Sequence, residues 1–139
     1  MITSNSNTAG IPSPDAPLRC LMVQPAFAET NYWNYTKTAK GIGAHTPAPP
    51  LGLMTVAAML PNHWDIRLLD LNVRDWKESD WDVDIVCVGG MLPQQAEILK
   101  VIEDANRRGK YVVCGGADPS SQPDVYSMAD VVVVGEGEA

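Results

Sequence analysis

The chain is short of most groups that drive chemistry. It holds two histidines and three cysteines in 139 residues. His45 lies in a loop and His63 at a helix exit, so the sequence offers no Ser/His/Asp grouping. Cys20, Cys87 and Cys114 are an odd count without C-x-x-C or other clustered spacing, which argues against a zinc or iron–sulfur site within the chain. Each falls inside a predicted strand, where a reduced cysteine behaves as a small hydrophobe, and this points to a reducing cytoplasm. Basic residues are also scarce. Ten Lys and Arg against 17 Asp and Glu give a net charge of -7 and a pI near 4.6. Such a surface repels phosphate backbones, so nucleic acid is excluded as a partner. No apolar run reaches membrane-spanning length, and the first residues lack the pattern of a signal peptide. G-x-G-x-x-G does not follow the first strand and the Walker A pattern is absent, which disfavours a dinucleotide and a nucleoside triphosphate.

What is present alternates between strand and helix. Residues 1–17 are rich in Ser, Asn, Thr, Pro and Ala and are expected to form a flexible tail, with one domain over 18–139. Strands are predicted at Arg19–Gln24, Ile66–Asp70, Val83–Gly89, Tyr111–Cys114 and Asp130–Val134. Their apolar, largely non-alternating runs suit strands covered on both faces. Segment 26–50 reads as a long loop without structure of its own. Leu51–Leu60 is an apolar helix between Pro50 and Pro61, and Pro93–Arg108 is an amphipathic helix that buries Ile98, Leu99, Ile102 and Ala105. A further short helix is expected near Pro123–Met128. The dozen residues between the second and third strands are too few for a full crossover helix and predict one helical turn. Asp65, Asp70, Asp75, Asp80, Asp82 and Asp84 read mostly as solvated turn residues around it.

The fold class is therefore α/β: a doubly wound, flavodoxin-like (Rossmann-like) sheet of five parallel strands in the order 2-1-3-4-5. The last strand runs into Gly135-Glu136-Gly137 with its covering helix missing, so the chain is expected to be the front part of something longer. Ligands of such sheets lie outside the carboxyl ends of the strands. Here that edge collects Gln24-Pro25, Asp70-Leu71-Asn72, Gly89-Gly90-Met91, Gly115-Gly116 and Gly135-Glu136. Glycine admits close approach to a bulky ligand, although it also simply ends strands and makes turns. The exits of the first and third strands lack the acidic residues that a phosphoryl-accepting receiver pocket needs.

Several stretches share a resemblance: Thr30-Asn-Tyr-Trp33, Ala48-Pro-Pro-Leu-Gly-Leu53, Arg67-Leu-Leu-Asp-Leu-Asn72, Val88-Gly-Gly-Met91 with Gln94-Gln95, Val113-Cys-Gly-Gly116 with Asp118-Pro-Ser120, and Gly135-Glu-Gly-Glu138. Taken in this order, the chain resembles the N-terminal cobalamin (B12)-binding domain of B12-dependent radical SAM enzymes, in the branch of the hopanoid methylases and the oxidative cyclase of chlorophyll synthesis. The resemblance implies cobalamin as cofactor, with SAM and a [4Fe-4S] cluster held only by a radical SAM domain downstream in cis. It implies a methyltransferase as the parent enzyme and no catalytic residue in this chain. Related cobalamin domains place a histidine under cobalt after the second strand. Asn72 stands at that position here and Asp75 where a glycine would be, which implies base-off binding with no protein nitrogen on the metal. Gly90 and Met91 replace an expected serine, while Gly115 and Gly116 keep the pair that admits the nucleotide tail. The implied binding residues are Pro25, Tyr32, Trp33, Pro50, Leu51, Gly52, Asn72, Gly89, Gly90, Met91, Gly115, Gly116, Gly135 and Glu136. For Tyr32, Trp33 and Pro50, ordinary packing of the loop is an equal reading. Two other readings stay open: a degenerate domain that lost cobalamin and acts as a scaffold or substrate gate, and a flavin or small-molecule binder, which rests on fold analogy alone.

Overall fold

The structure is a computed structural model that describes residues 2–4, 12–13, 15–28, 35–43 and 49–137. Five parallel strands form its frame: β2 (Arg19–Gln24), β3 (Asp65–Asp70), β4 (Ile85–Gly89), β5 (Tyr111–Gly115) and β6 (Val131–Val133). A short strand β1 (Ile2–Ser4) joins the β6 edge antiparallel, giving the order β1-β6-β5-β4-β2-β3. The five parallel strands thus stand in the expected doubly wound order. Part of the segment expected to be a flexible tail, Ile2–Ser4, is instead paired in the sheet, because β6 would otherwise expose a row of unpaired backbone groups.

The helices are α1 (Thr36–Gly41), α2 (Leu51–Met59), α3 (Gln95–Arg107) and α4 (Ala117–Ser121), with 3-10 turns at Glu78–Trp81, Leu92–Gln94 and Pro123–Tyr126. Two of these correct the sequence reading. α1 lies inside the expected structureless loop, and α4 occupies residues read as a glycine-rich strand exit.

The two faces of the sheet are packed unequally. On one, Leu21, Val23, Val86, Val88, Val112 and Val132 meet Ile98, Val101, Ile102 and Ala105 of α3, all of them buried. The 3.6-residue spacing of the α3 residues puts them on one stripe. On the other face, Cys20, Met22 and Ile85 are covered by Leu53, Val56 and Ala57 of α2, which stay partly open. No residue of α2 is fully buried, and Leu51, Met54 and Met59 face outward.

The short link between β3 and β4 is held without a crossover helix. Trp76 and Trp81 stack with centroids 4.2 Å apart and planes within 8°. The Arg108 guanidinium lies 4.6 Å over the Trp81 ring and also pairs with Glu78. Asp80 is buried, contrary to its reading as a solvated turn residue. Its carboxylate takes two bonds from Arg74, at 2.7 and 2.8 Å, and one from the Lys77 N–H at 2.8 Å. Asp84 also belongs to the frame, since it accepts the Arg19 N–H at 2.8 Å and so sets the start of β2.

Two outcomes follow from this packing. Ile98 is completely buried, so Ile98→Ala should cost ~2–5 kcal/mol in urea unfolding, whereas Met59→Ala on the exposed side of α2 should cost under ~1 kcal/mol. The Arg74 guanidinium holds the Asp80 carboxyl down at about 2 against an ordinary value of 3.8. Because the folded state depresses this pKa, the contribution is complete above the ordinary value and is lost as pH falls from there toward about 2. Asp80→Asn should therefore flatten the fall in unfolding free energy over that window, as measured by urea titration at several pH values.

Candidate functional site

The carboxyl edge is built around one carbonyl. Pro25 closes β2 and is buried, and its oxygen accepts two side-chain amides, Gln94 Nε2 at 2.6 Å and Asn72 Nδ2 at 3.2 Å. Asn72 arrives from the exit of β3 and Gln94 from the turn after β4, so three strand exits are tied at one atom. Both amides are further engaged. Asn72 Nδ2 donates to Asp70 Oδ1 at 2.8 Å, and Asn72 Oδ1 accepts the Phe27 N–H at 3.0 Å. Gln94 Oε1 accepts the Met91 N–H at 3.2 Å, and Gln94 is 1% exposed. A buried carbonyl or amide left unpaired costs about 1–3 kcal/mol, so these contacts fix the edge firmly.

The glycines divide into two kinds. A Cβ on Gly89 would sit 2.5 Å from the Gly115 oxygen, and one on Gly90 2.7 Å from Gln94 Oε1. Gly116 adopts φ +105°, and its Cβ would come within 3.0 Å of the Gly90 nitrogen. These three are required by the close approach of the β4 and β5 exits to each other and to Gln94. Gly52 and Gly135 differ, because a Cβ there meets nothing within 4 Å. Gly135 has φ +97° and is pinned by its N–H, which donates to Ser120 Oγ at 3.0 Å.

Behind the edge lies a buried carboxylate that sequence reasoning gave no role. Asp118 of α4 accepts Gln95 Nε2 at 3.0 Å, Gln122 Nε2 at 2.9 Å and the Tyr126 hydroxyl, while its N–H donates to the Gly90 oxygen at 3.2 Å. Burial, and then the hydrogen bond to Asp118, push the Tyr126 hydroxyl well above its usual range, so it stays a donor. Burial pushes the nearby Cys114 thiol up to about 12, which leaves it unreactive. The Asp-Pro-Ser stretch and the Gln94-Gln95 pair were legible as motif fragments. Their roles were not, because Tyr126 and Pro25 come from elsewhere in the chain.

Of the residues expected to bind, Gly89 and Gly115 are the last residues of β4 and β5, and Pro25, Asn72, Gly90, Met91, Gly116, Gly135 and Glu136 follow the carboxyl ends of strands. Pro50, Leu51 and Gly52 stand at the start of α2, after the same end of β2. Tyr32 and Trp33 lie outside the described residues. The rim of this edge is apolar and open: Leu51 is 65% exposed, Leu92 61% and Met91 43%. Asn72 and Gln94 spend their amides inward and leave that rim without a side-chain ligand of their own. Among the described residues, no group of three or more His, Cys, Asp or Glu is placed to hold a metal ion. Such an edge can hold a broad apolar ligand. It offers positioning rather than acid–base chemistry.

Comparison with known proteins agrees with this geometry. The family model of the B12 binding domain matches residues 41–139. The chain is 38% identical over 124 residues to an uncharacterized methyltransferase of Synechocystis, covering 87% of this chain and 23% of that protein. It is 36% identical over 89 residues to the hopanoid C-2 methylase of Rhodopseudomonas palustris, covering 63% of this chain and 17% of that protein. It is 30% identical over 89 residues to the bacteriochlorophyllide d C-8(2)-methyltransferase of Chlorobaculum tepidum, covering 63% of this chain and 19% of that protein. The chain thus spans less than a quarter of the length of each of these relatives. No solved structure matches it. With a doubly wound sheet, an open apolar rim at its carboxyl edge and the family match over most of its length, the chain belongs to the family of B12-binding domains.

Proposed function

We propose that the chain is the cobalamin-holding part of a cytoplasmic radical SAM methyltransferase and that it holds cobalamin base-off, with no protein nitrogen on cobalt. Two of the relatives above are named methyltransferases and one a methylase, which supports the reaction class. The observation that carries the ligand state is the engagement of Asn72. Its amide is bonded on both sides to Pro25, Asp70 and Phe27, so it turns into the protein rather than toward a ligand. The residues fit the cofactor's shape. Corrin is a broad, largely apolar disc, and Leu51, Met91 and Leu92 offer apolar surface beside the open space at Gly52 and Gly135. When bound, cobalamin supplies a metal that can carry a methyl group. This chain's own part is to present that surface, exclude water from one side of the ring and keep nitrogen ligands away from it. SAM and a [4Fe-4S] cluster belong, in this reading, to a radical SAM domain downstream in the parent protein.

A second reading is favoured by the glycines. Gly89, Gly90 and Gly116 are accounted for by contacts within the protein. A degenerate domain that lost cobalamin and serves as a scaffold or substrate gate would keep them too.

Visible spectroscopy separates the two. After mixing with hydroxocobalamin and desalting, the first reading expects retained corrin absorbance with a base-off band. Electron paramagnetic resonance of the reduced Co(II) form should then show no nitrogen splitting from a protein ligand. A colourless protein would favour the degenerate domain, and nitrogen splitting traced to a protein residue would overturn the ligand assignment. The rim gives a second check. Met91→Glu and Leu92→Glu fall on exposed positions and should leave the thermal midpoint within a few degrees. Retained cobalamin should fall by about ten-fold or more, since burying an unpaired charge costs well over about 1.4 kcal/mol.

A further inference from the structure

Three sulfur atoms meet on the α2 side of the sheet. Cys20 and Met22 are two residues apart on β2 and so point to the same face. Cys87 on β4 is the register partner of Met22 and joins them there. Cys20 Sγ lies 3.6 Å from Cys87 Sγ and 3.7 Å from Met22 Sδ. The two cysteines are 67 positions apart in the chain, so their spacing gave no sign of a cluster, and the expectation of no metal site rested on that spacing.

A disulfide does not suit this arrangement. The register partner of Cys20 is Ile85, two residues before Cys87, which makes the cysteines diagonal neighbours on adjacent strands. Neighbouring strands lie about 4.8 Å apart and two residues rise about 6.6 Å, so diagonal Cα atoms stand roughly 8 Å apart, whereas a bridge needs them within about 6.8 Å. The sulfurs touch only because the side chains lean toward each other. The spacing does suit common ligation. Two sulfurs each about 2.3 Å from one ion, at tetrahedral or trigonal angles, stand roughly 3.8–4.0 Å apart, so a few tenths of an ångström of movement suffices.

The surroundings select the ion. Thiolate and thioether donors favour soft metals, copper(I) among them. The cluster is bounded by apolar side chains, including Leu18, Ile66, Ile85, Val56 and Val113. A net charge there would be uncompensated. A monovalent ion with one thiolate and two neutral sulfurs carries none, and the displaced thiol proton goes to solvent. Cys87 is the least buried of the three residues, and α2 above it buries no residue. We propose that Cys20, Met22 and Cys87 form a binding site for a soft monovalent cation of the copper(I) class. This inference does not depend on cobalamin being bound.

The test is an anaerobic titration of the full protein with copper(I), supplied as its acetonitrile complex, in competition with bicinchoninate. One ion per chain should be withdrawn from the competitor. Cys20→Ser and Cys87→Ser should each weaken binding by at least about 100-fold, and Met22→Leu by about 10-fold. Cys114→Ser should change nothing, because Cys114 lies in the α3-side core. Undiminished affinity in Cys20→Ser or Cys87→Ser, or its loss in Cys114→Ser, would overturn the assignment. X-ray absorption on the copper-loaded unmodified protein reads the ligands directly should a variant fail to fold. A shell of sulfur supports the site, and a shell of nitrogen or oxygen refutes it.

Discussion

The carboxyl edge depends on the Pro25 carbonyl. β2 lies between β3 and β4, and the sheet turns its order beside it. A carbonyl at such a point cannot join a ladder, because the chain leaves the sheet there. It is satisfied instead by two amides that arrive from opposite neighbours, Asn72 from the β3 side and Gln94 from the β4 side. The same Gln94 caps the Met91 N–H and fills the space beside Gly90. The exits of β2, β3 and β4 are therefore one rigid unit. The Asp118 group extends that unit to β5 through its bond to Gly90, and Ser120 extends it to β6 through Gly135.

The two faces of the sheet are covered unequally. α3 covers one face with a stripe of fully buried aliphatic residues, as a structural core requires. α2 is apolar on every side yet buries none of its residues. An apolar helix that is only half covered adds little to stability per residue. It leaves soft, adaptable side chains such as Met54 and Met59 at the surface. Among the described residues, the side of the molecule carrying α2 is thus the less tightly packed one.

Much of this was legible in the sequence. The apolar runs at Arg19–Gln24, Val83–Gly89 and Tyr111–Cys114 specify strands covered on both faces, and the alternation with helices specifies the parallel order. The tight link between β3 and β4 was also legible, because its length rules out a crossover helix. Less visible were features that depend on partners remote in the chain. β1 is three residues long and shows no periodicity of its own, so only the free edge of β6 explains it. α4 contains Pro119 and reads as a turn, and it is held as a helix by the bonds that converge on Asp118. Gln94 looks like any polar residue at a helix start until β2 places Pro25 beside it. Asp80 looks like a solvated aspartate until Arg74 folds over it.

The strand at the opposite border of the sheet has a bearing on how the protein behaves in crowded solution. β3 carries Asp65 and Arg67 along its outer edge, and the Arg67 guanidinium bends back to the carbonyls of Asp82, at 2.7 Å, and Ser79, at 3.5 Å. A docking strand would have to displace that guanidinium and approach fixed charges. With only the three residues of β1 at one border and charge at the other, the described edges of the sheet are poor templates for stacking copies into fibrils.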